Sequence, residues 1–191
     1  MKVTIDTNYM RALFEVVPTE EIRTYLKGVH LPPDSEQLMA SDGYRLLIVP
    51  VKLEDPLFNG LNHFCEGITF KLPARKPLKS DKYITIETGR NPERYEEMTW
   101  TYYGKNSMVR EQCICHIQVG KFPDTDFIVN GYSNAKLPSI GFNPAYLLDV
   151  YAALGYFGGV RLLMGCDKHS AIKVDFGKQT KAKYYLMPMH L

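Results

Sequence analysis

Residues 2–18, KVTIDTNYMRALFEVVP, change hydrophobic period midway, and that change sets the fold. Val3 and Ile5 alternate with polar neighbours, the pattern of a half-buried strand. Met10, Leu13, Phe14 and Val17 then fall at i, i+3, i+4 and i+7, one face of a helix. Thr7 stands where a helix cap is wanted, and Pro18 stops the run. After the polar PTEEIR, TYLKGVHL and EQLMASDGYRLLIVPV read as strands separated by PPDS, with SDG splitting the second run into two. The first sixty residues therefore read β, α, β, β, β.

The order recurs. GITFKLP (67–73) opens a second unit, but ARKPLKSD (74–81) is too short and too proline-broken for the helix that should follow. KYITIET, MTWTYY and QCICHIQVG continue as strands, and GRNPERYEE (89–97) between the first two reads as a solvated loop. KFPDTDFIVNGYSNAKLPSIG (121–141) reads as a loop leading to the best-punctuated helix, FNPAYLLDVYAALG. There Asn143 caps, Pro144 takes the first helical position and Gly155 closes. VRLLMG, AIKVDF and YYLMPMHL follow as strands. The fold class is α+β: repeated β-α-β-β-β units, antiparallel sheets and few helices, the unit used about three times and once without its helix.

Composition narrows the function. A 45% hydrophobic chain of 191 residues can bury a core, and 23 Lys+Arg against 21 Asp+Glu leave +2, far from a strongly basic nucleic-acid binder. Cys65, Cys113, Cys115 and Cys166, without a charged leader and apolar run ahead of them, read as reduced thiols of a cytoplasmic protein. No apolar run approaches the roughly 20 residues that span a bilayer.

CICH (113–116) tempts a metal reading, but alternation puts Cys113 and Cys115 on one face and His116 on the other, and structural zinc needs four converging ligands. Strand packing is the stronger account. His30, His63, His116, His169 and His190 are scattered, no nucleophile motif is present, and Ser41-Asp42-Gly43 is turn chemistry. No catalytic residue, metal site or cofactor is expected. Basic residues gather in two regions, Lys71 to Lys82 and Lys168 to Lys183. Most such runs are solvated surface; as phosphate contacts, the candidates are Arg75, Lys76, Lys79, Lys168, Lys181 and Lys183.

Several stretches, in the family's order, resemble the β subunit of bacterial DNA polymerase III, the replicative sliding clamp. IRTYLKGVHL followed by MASDGYRLLIVPV is similar to that family's middle-domain pattern R-x-Y-L-x-G-V then A-T-D-G-H-R-L. IQVGKFPDTDFIV resembles its L-I-D-G-x-F-P-D-Y segment. FNPAYLLDVYAALG and YYLMPMHL look like the last helix and the closing Y-V-M-P-M-R-L of its final domain. The resemblance implies residues 1–128 as a middle-domain counterpart and 129–191 as the C-terminal half of the last domain. It also implies a non-enzymatic processivity factor that binds a short peptide of a DNA polymerase or other replication protein, with double-stranded DNA encircled by a homo-oligomer. The alternative is a non-encircling module or decoy that keeps only the peptide site.

That site, carried over from the resemblance, comprises Leu26, Ser41, Gly43, Tyr44, Arg45, Leu46, Tyr185, Leu186, Met187, Pro188 and Met189. Methionine repacks around varied apolar anchors, and Gly43 permits close backbone approach. The departures are equally specific. The chain is about half the family's length, without a counterpart to its first domain and the front half of its last. Helix 144–154 carries Asp149 and no Lys or Arg, His190 replaces an Arg, and Tyr44 stands where the family has His.

Overall fold

A computed structural model of the chain describes residues 1–19, 23–33, 35–54, 67–88, 97–118, 121–130, 140–155, 158–164 and 170–189, the side chains of Phe127, Asn130 and Gln179 excepted. The loop expected at 89–97 falls almost wholly outside these residues, as do Cys65, Cys166, Lys168 and His190.

Strand β1 (Lys2–Asp6) buries Val3 and Ile5, and α1 (Thr7–Val16) follows without a linker. The cap is Asp6 rather than Thr7: its extended backbone ends the strand, and its carboxylate accepts the Asn8 amide at 2.8 Å. Thr7 becomes the first helical residue and is buried. Val17, just before Pro18, is extended and closes the helix, because a residue preceding proline is pushed out of the helical region.

β2 (Gly28–Leu31), β3 (Gln37–Ser41) and β4 (Arg45–Pro50) come next, and a short β5 (Lys52–Glu54) extends the unit. The Thr24–Leu26 part of the first expected strand is instead a 3-10 turn, its amide bonds running from Leu26 to Arg23 and from Lys27 to Thr24. β6 (Ile68–Lys71), β7 (Tyr83–Thr88), β8 (Glu97–Tyr103) and β9 (Val109–His116) form the second unit. Its helix is absent from residues 72–82. Ion pairs fasten that segment: buried Asp81 accepts Arg110 Nε at 2.6 Å, Arg110 Nη2 at 2.7 Å and the Leu78 amide at 2.8 Å.

The segment read as a loop before the last helix contains α2 (Asp126–Asn130). α3 (Pro144–Leu154) has the expected ends, with Asn143 Oδ1 accepting the Ala145 amide at 3.0 Å and Gly155 left-handed at φ 68°. β10 (Arg161–Leu163), β11 (Ile172–Asp175) and β12 (Lys183–Leu186) complete the chain. β12 stops at Leu186, short of the expected strand end; Met189 then makes a single bridge to Gly141.

Both sheets are antiparallel, in the orders β5-β1-β7-β8-β9 and β10-β11-β12-β4-β3-β2-β6. In the second, β12 pairs with β4, so the last strand of the chain lies against one of the first, Tyr185 opposite Leu46. One apolar core joins both sheets to α1 and α3, which pack on each other; it includes Ile5, Met10, Leu13, Leu47, Trp100, Val174 and Tyr184.

Candidate functional site

The turn from β3 to β4 is built by its own side chains. Ser41 Oγ accepts the Gly43 amide at 3.1 Å, and Asp42 Oδ1 accepts those of Tyr44 at 2.9 Å and Arg45 at 3.0 Å. Gly43 has φ +88°, and a Cβ there would stand 2.8 Å from the Arg23 guanidinium. Close approach to Gly43 is therefore made by Arg23 of the same chain. A Gly43→Ala variant is expected to lose about 1–2 kcal/mol of stability in urea unfolding, from the left-handed backbone alone.

This turn meets the C-terminal segment directly. The Met187 amide donates to the Tyr44 carbonyl at 2.8 Å, and the Met189 amide to the Gly141 carbonyl at 2.8 Å. Tyr44 is 60% exposed and Met189 48%, so the two lie open beside the half-buried Met187 and Pro188.

Alternation divides those of the eleven expected residues that lie on strands between two faces. On the face away from α1 and α3, Leu46, Ile48, Ala171 and Tyr185 form a second apolar cluster, with Met39, Ile128, Val129 and Met187 packed on it. Arg45 and Leu186 point the other way. Leu186 belongs to the helix-side core, and Arg45 is 8% exposed, with its cation 4.4 Å over the Tyr146 ring. Arg45 Nε donates to Asp42 Oδ2 at 2.9 Å, Nη1 to Asp149 Oδ2 at 3.2 Å and Nη2 to the Glu15 carbonyl at 2.6 Å. Leu26 is buried in the 3-10 turn, outside this second cluster, and Ser41 is half-buried. The structure thus brings together Leu46, Tyr185 and Met187 in one cluster, Leu46 and Tyr185 as its buried floor at 2% exposure each, Met187 half-buried over them and Tyr44 exposed beside it, and assigns Arg45 to holding the turn.

Met39, Ile128 and Val129 line the same cluster and were missing from the expected set. Met39 was legible as the residue of β3 that alternates with the core residues Leu38 and Ala40. The apolar pair in DTDFIVN was a weaker signal, because the segment reads as a loop.

Two candidate phosphate contacts are already engaged with carboxylates. Arg75 Nη1 lies 2.6 Å from Glu111 Oε2, and Lys76 pairs with Glu15. Lys79 and Lys181 are exposed, and Lys183 is half-buried in β12 opposite Ile48. The exposed residues of α3 include Ala145, Leu148, Asp149 and Ala152.

Cys113 and Cys115 are free thiols on the inward face of β9, while His116 is exposed. Burial raises the Cys113 pKa and pushes the Cys115 thiol up to about 12, so neither is an activated nucleophile. Among the described residues no group of three His, Cys, Asp or Glu side chains is placed to hold a metal, and no helix is long and apolar enough to cross a membrane.

No protein-family model matches the chain, and no curated protein matches it. Solved structures do. The DNA polymerase III β subunit of Borrelia burgdorferi, in complex with a natural product, is 11% identical with a TM-score of 0.62, over 100% of this chain and 63% of that one. Caulobacter crescentus pol III β is 18% identical with a TM-score of 0.61, over 100% and 66%. The DnaN sliding clamp of Bartonella birtlesii, bound to griselimycin, is 15% identical with a TM-score of 0.61, again over 100% and 66%. The chain spans just under two thirds of the length of these three clamps, and over that span it has the fold of the bacterial sliding clamp.

Proposed function

We propose that the protein is a sliding-clamp-like processivity factor whose partner, a DNA polymerase or another replication protein, docks a short peptide on Tyr44, Met187 and Met189, above the buried Leu46–Tyr185 cluster. Residues 1–128 act as the middle-domain counterpart and 129–191 as a half-domain that supplies the C-terminal wall. The observation that carries this reading is the Met187–Tyr44 hydrogen bond, which sets the C-terminal Met-Pro-Met beside the turn and over an apolar cluster of its own. Half-exposed methionines and exposed Tyr44 and Met189 suit apolar peptide anchors, each buried methylene contributing about 0.8 kcal/mol. Binding, not catalysis, is the activity assigned, in the cytoplasm.

A labelled peptide of the Gln-x-Leu-Phe kind tests it by fluorescence anisotropy. Met187→Asp is expected to weaken binding by more than about tenfold, since a desolvated carboxylate on an apolar surface has no compensation. Leu148→Asp, on the exposed side of α3, is expected to leave binding unchanged. Equal affinity of the wild type and a folded Met187→Asp variant would refute the placement.

The second reading, a non-encircling module that keeps the peptide surface, draws on the helix side. Exposed Ala145, Leu148, Asp149 and Ala152 offer α3 no cation for phosphate, and Arg75 and Lys76 are engaged with Glu111 and Glu15. Light scattering and retention on closed circular DNA separate the two. A stable oligomer released by linearising the circle supports encirclement; a monomer without retention supports the module.

A further inference from the structure

The seven-stranded sheet carries, on the face away from α1 and α3, a row of register partners: Thr69 of β6, His30 of β2, Met39 of β3 and Ile48 of β4. The segment from Phe122 to Val129 meets this row step by step. Phe122, itself buried, lies face to face on His30, with ring centroids 4.6 Å apart and planes 4° from parallel. Thr125 Oγ1 donates to Met39 Sδ at 3.7 Å, and the Thr125 carbonyl accepts the Ile128 and Val129 amides at 3.0 Å each, which starts α2. Ile128 and Val129 then pack on the cluster of Leu46, Ile48 and Tyr185.

The seat of His30 is built on three sides. Its Nδ1 is 2.9 Å from Thr69 Oγ1, Phe122 covers one ring face, and a Cβ on Gly67 would stand 2.8 Å from its Cε1. A helix of five residues does not hold itself in place, so α2 must take its position from tertiary anchors. Anchors on two adjacent strands, at Phe122 and Thr125, give the segment a direction across the sheet.

We propose that the His30–Phe122 stack is a positioning pair: it sets α2 against the apolar surface, and so shapes the peptide site through Ile128 and Val129 without touching the peptide. The consequence for binding rests on the peptide-site reading above; the mooring of α2 does not.

The test uses the full chain and two variants. Phe122→Leu keeps apolar fill and removes the stack; Phe122→Tyr keeps the ring. Hydrogen exchange is read at the Ile128 and Val129 amides and, as a reference, at the amides that pair β4 with β12. In Phe122→Leu, exchange at 128 and 129 is expected to quicken roughly threefold to tenfold, the worth of a stacked pair, with the reference amides unchanged. Affinity for the Gln-x-Leu-Phe peptide should fall by a similar factor, and Phe122→Tyr should restore both. Unchanged protection at 128 and 129 in Phe122→Leu, or an equal loss at the reference amides, overturns the proposal. A wild-type chain that binds no peptide, yet shows the stated exchange response, refutes the peptide site and upholds the mooring.

Discussion

Arg45→Ala is expected to lower the unfolding free energy by about 3–5 kcal/mol, as removal of one partner from a buried ion pair does. Arg45 is 8% exposed, and its guanidinium serves three elements at once: Asp42 in the turn, the Glu15 carbonyl near the C-terminal end of α1, and Asp149 on α3. Without it, the Asp42 carboxylate, its side chain only 13% exposed, loses the guanidinium paired with it at 2.9 Å. The Glu15 carbonyl, among the last of α1 and hence without a partner inside the helix, loses its donor. The Tyr146 ring loses the cation above it. Arg45→Lys keeps a charge for Asp42 but not the planar fork that meets three acceptors in different directions, so it should recover only part of the loss. Asp149→Ala is the control. That side chain is 47% exposed, and its pair with Arg45 should be worth at most about 1 kcal/mol. Urea unfolding of the three variants gives the order Ala, Lys, Asp149→Ala from most to least destabilised. Near-equal losses in Arg45→Ala and Asp149→Ala would show that the network is held from α3 instead of from the turn.

How much of this was legible depends on whether local pattern or tertiary contact decides each element. β1, α1 and α3 could be read because a core face, a stop and, for α3, its caps all sit in the local sequence and agree. The cap of α1 moved by one residue because Asp6 and Thr7 are both cap types, and only the strand's end decides between them. Thr24–Leu26 has strand-like composition, but the chain needs a turn between α1 and β2, and local amide bonds supply it. α2 could not be read at all: DFIVN lies inside a stretch that reads as a loop and becomes helical where its residues rest on the sheet.

The site divides in the same way. The resemblance named motif residues side by side, and neighbours on a strand face opposite directions. Alternation alone would have separated Arg45 from Leu46 and Leu186 from Tyr185 and Met187. What no local pattern held was the contribution of α2, since Ile128 and Val129 reach the surface from about eighty residues further along the chain than Leu46. Asp149 also changes meaning. In the sequence it is a charge unsuited to a DNA-facing helix; in the structure it is a partner for Arg45.

His30 gives the second large effect, and its sign follows from the direction of its shift. Burial lowers its pKa from 6.5 to about 4, so the folded protein keeps the imidazole neutral where the unfolded chain would protonate it. Above the unfolded pKa neither state binds the proton, and the full stability is present. As pH falls from about 6.5 toward about 4, only the unfolded state takes up a proton, and stability declines by about 3 kcal/mol before levelling off. The physical cause is the seat itself: Phe122 on one face, the Gly67 backbone close to Cε1, and a neutral hydroxyl, Thr69, as the hydrogen-bond partner. None of these supplies an anion to repay the desolvation of an imidazolium. Denaturant unfolding from about pH 7 to about pH 4 checks this when His30→Gln is measured alongside. Carboxylates titrate in both proteins and cancel in the difference, which isolates His30. The wild type should lose its margin over the variant by that amount across the interval. Parallel curves would mean that His30 is already solvated in the folded state, and a solvated imidazole is incompatible with the flat Phe122 stack that seats it.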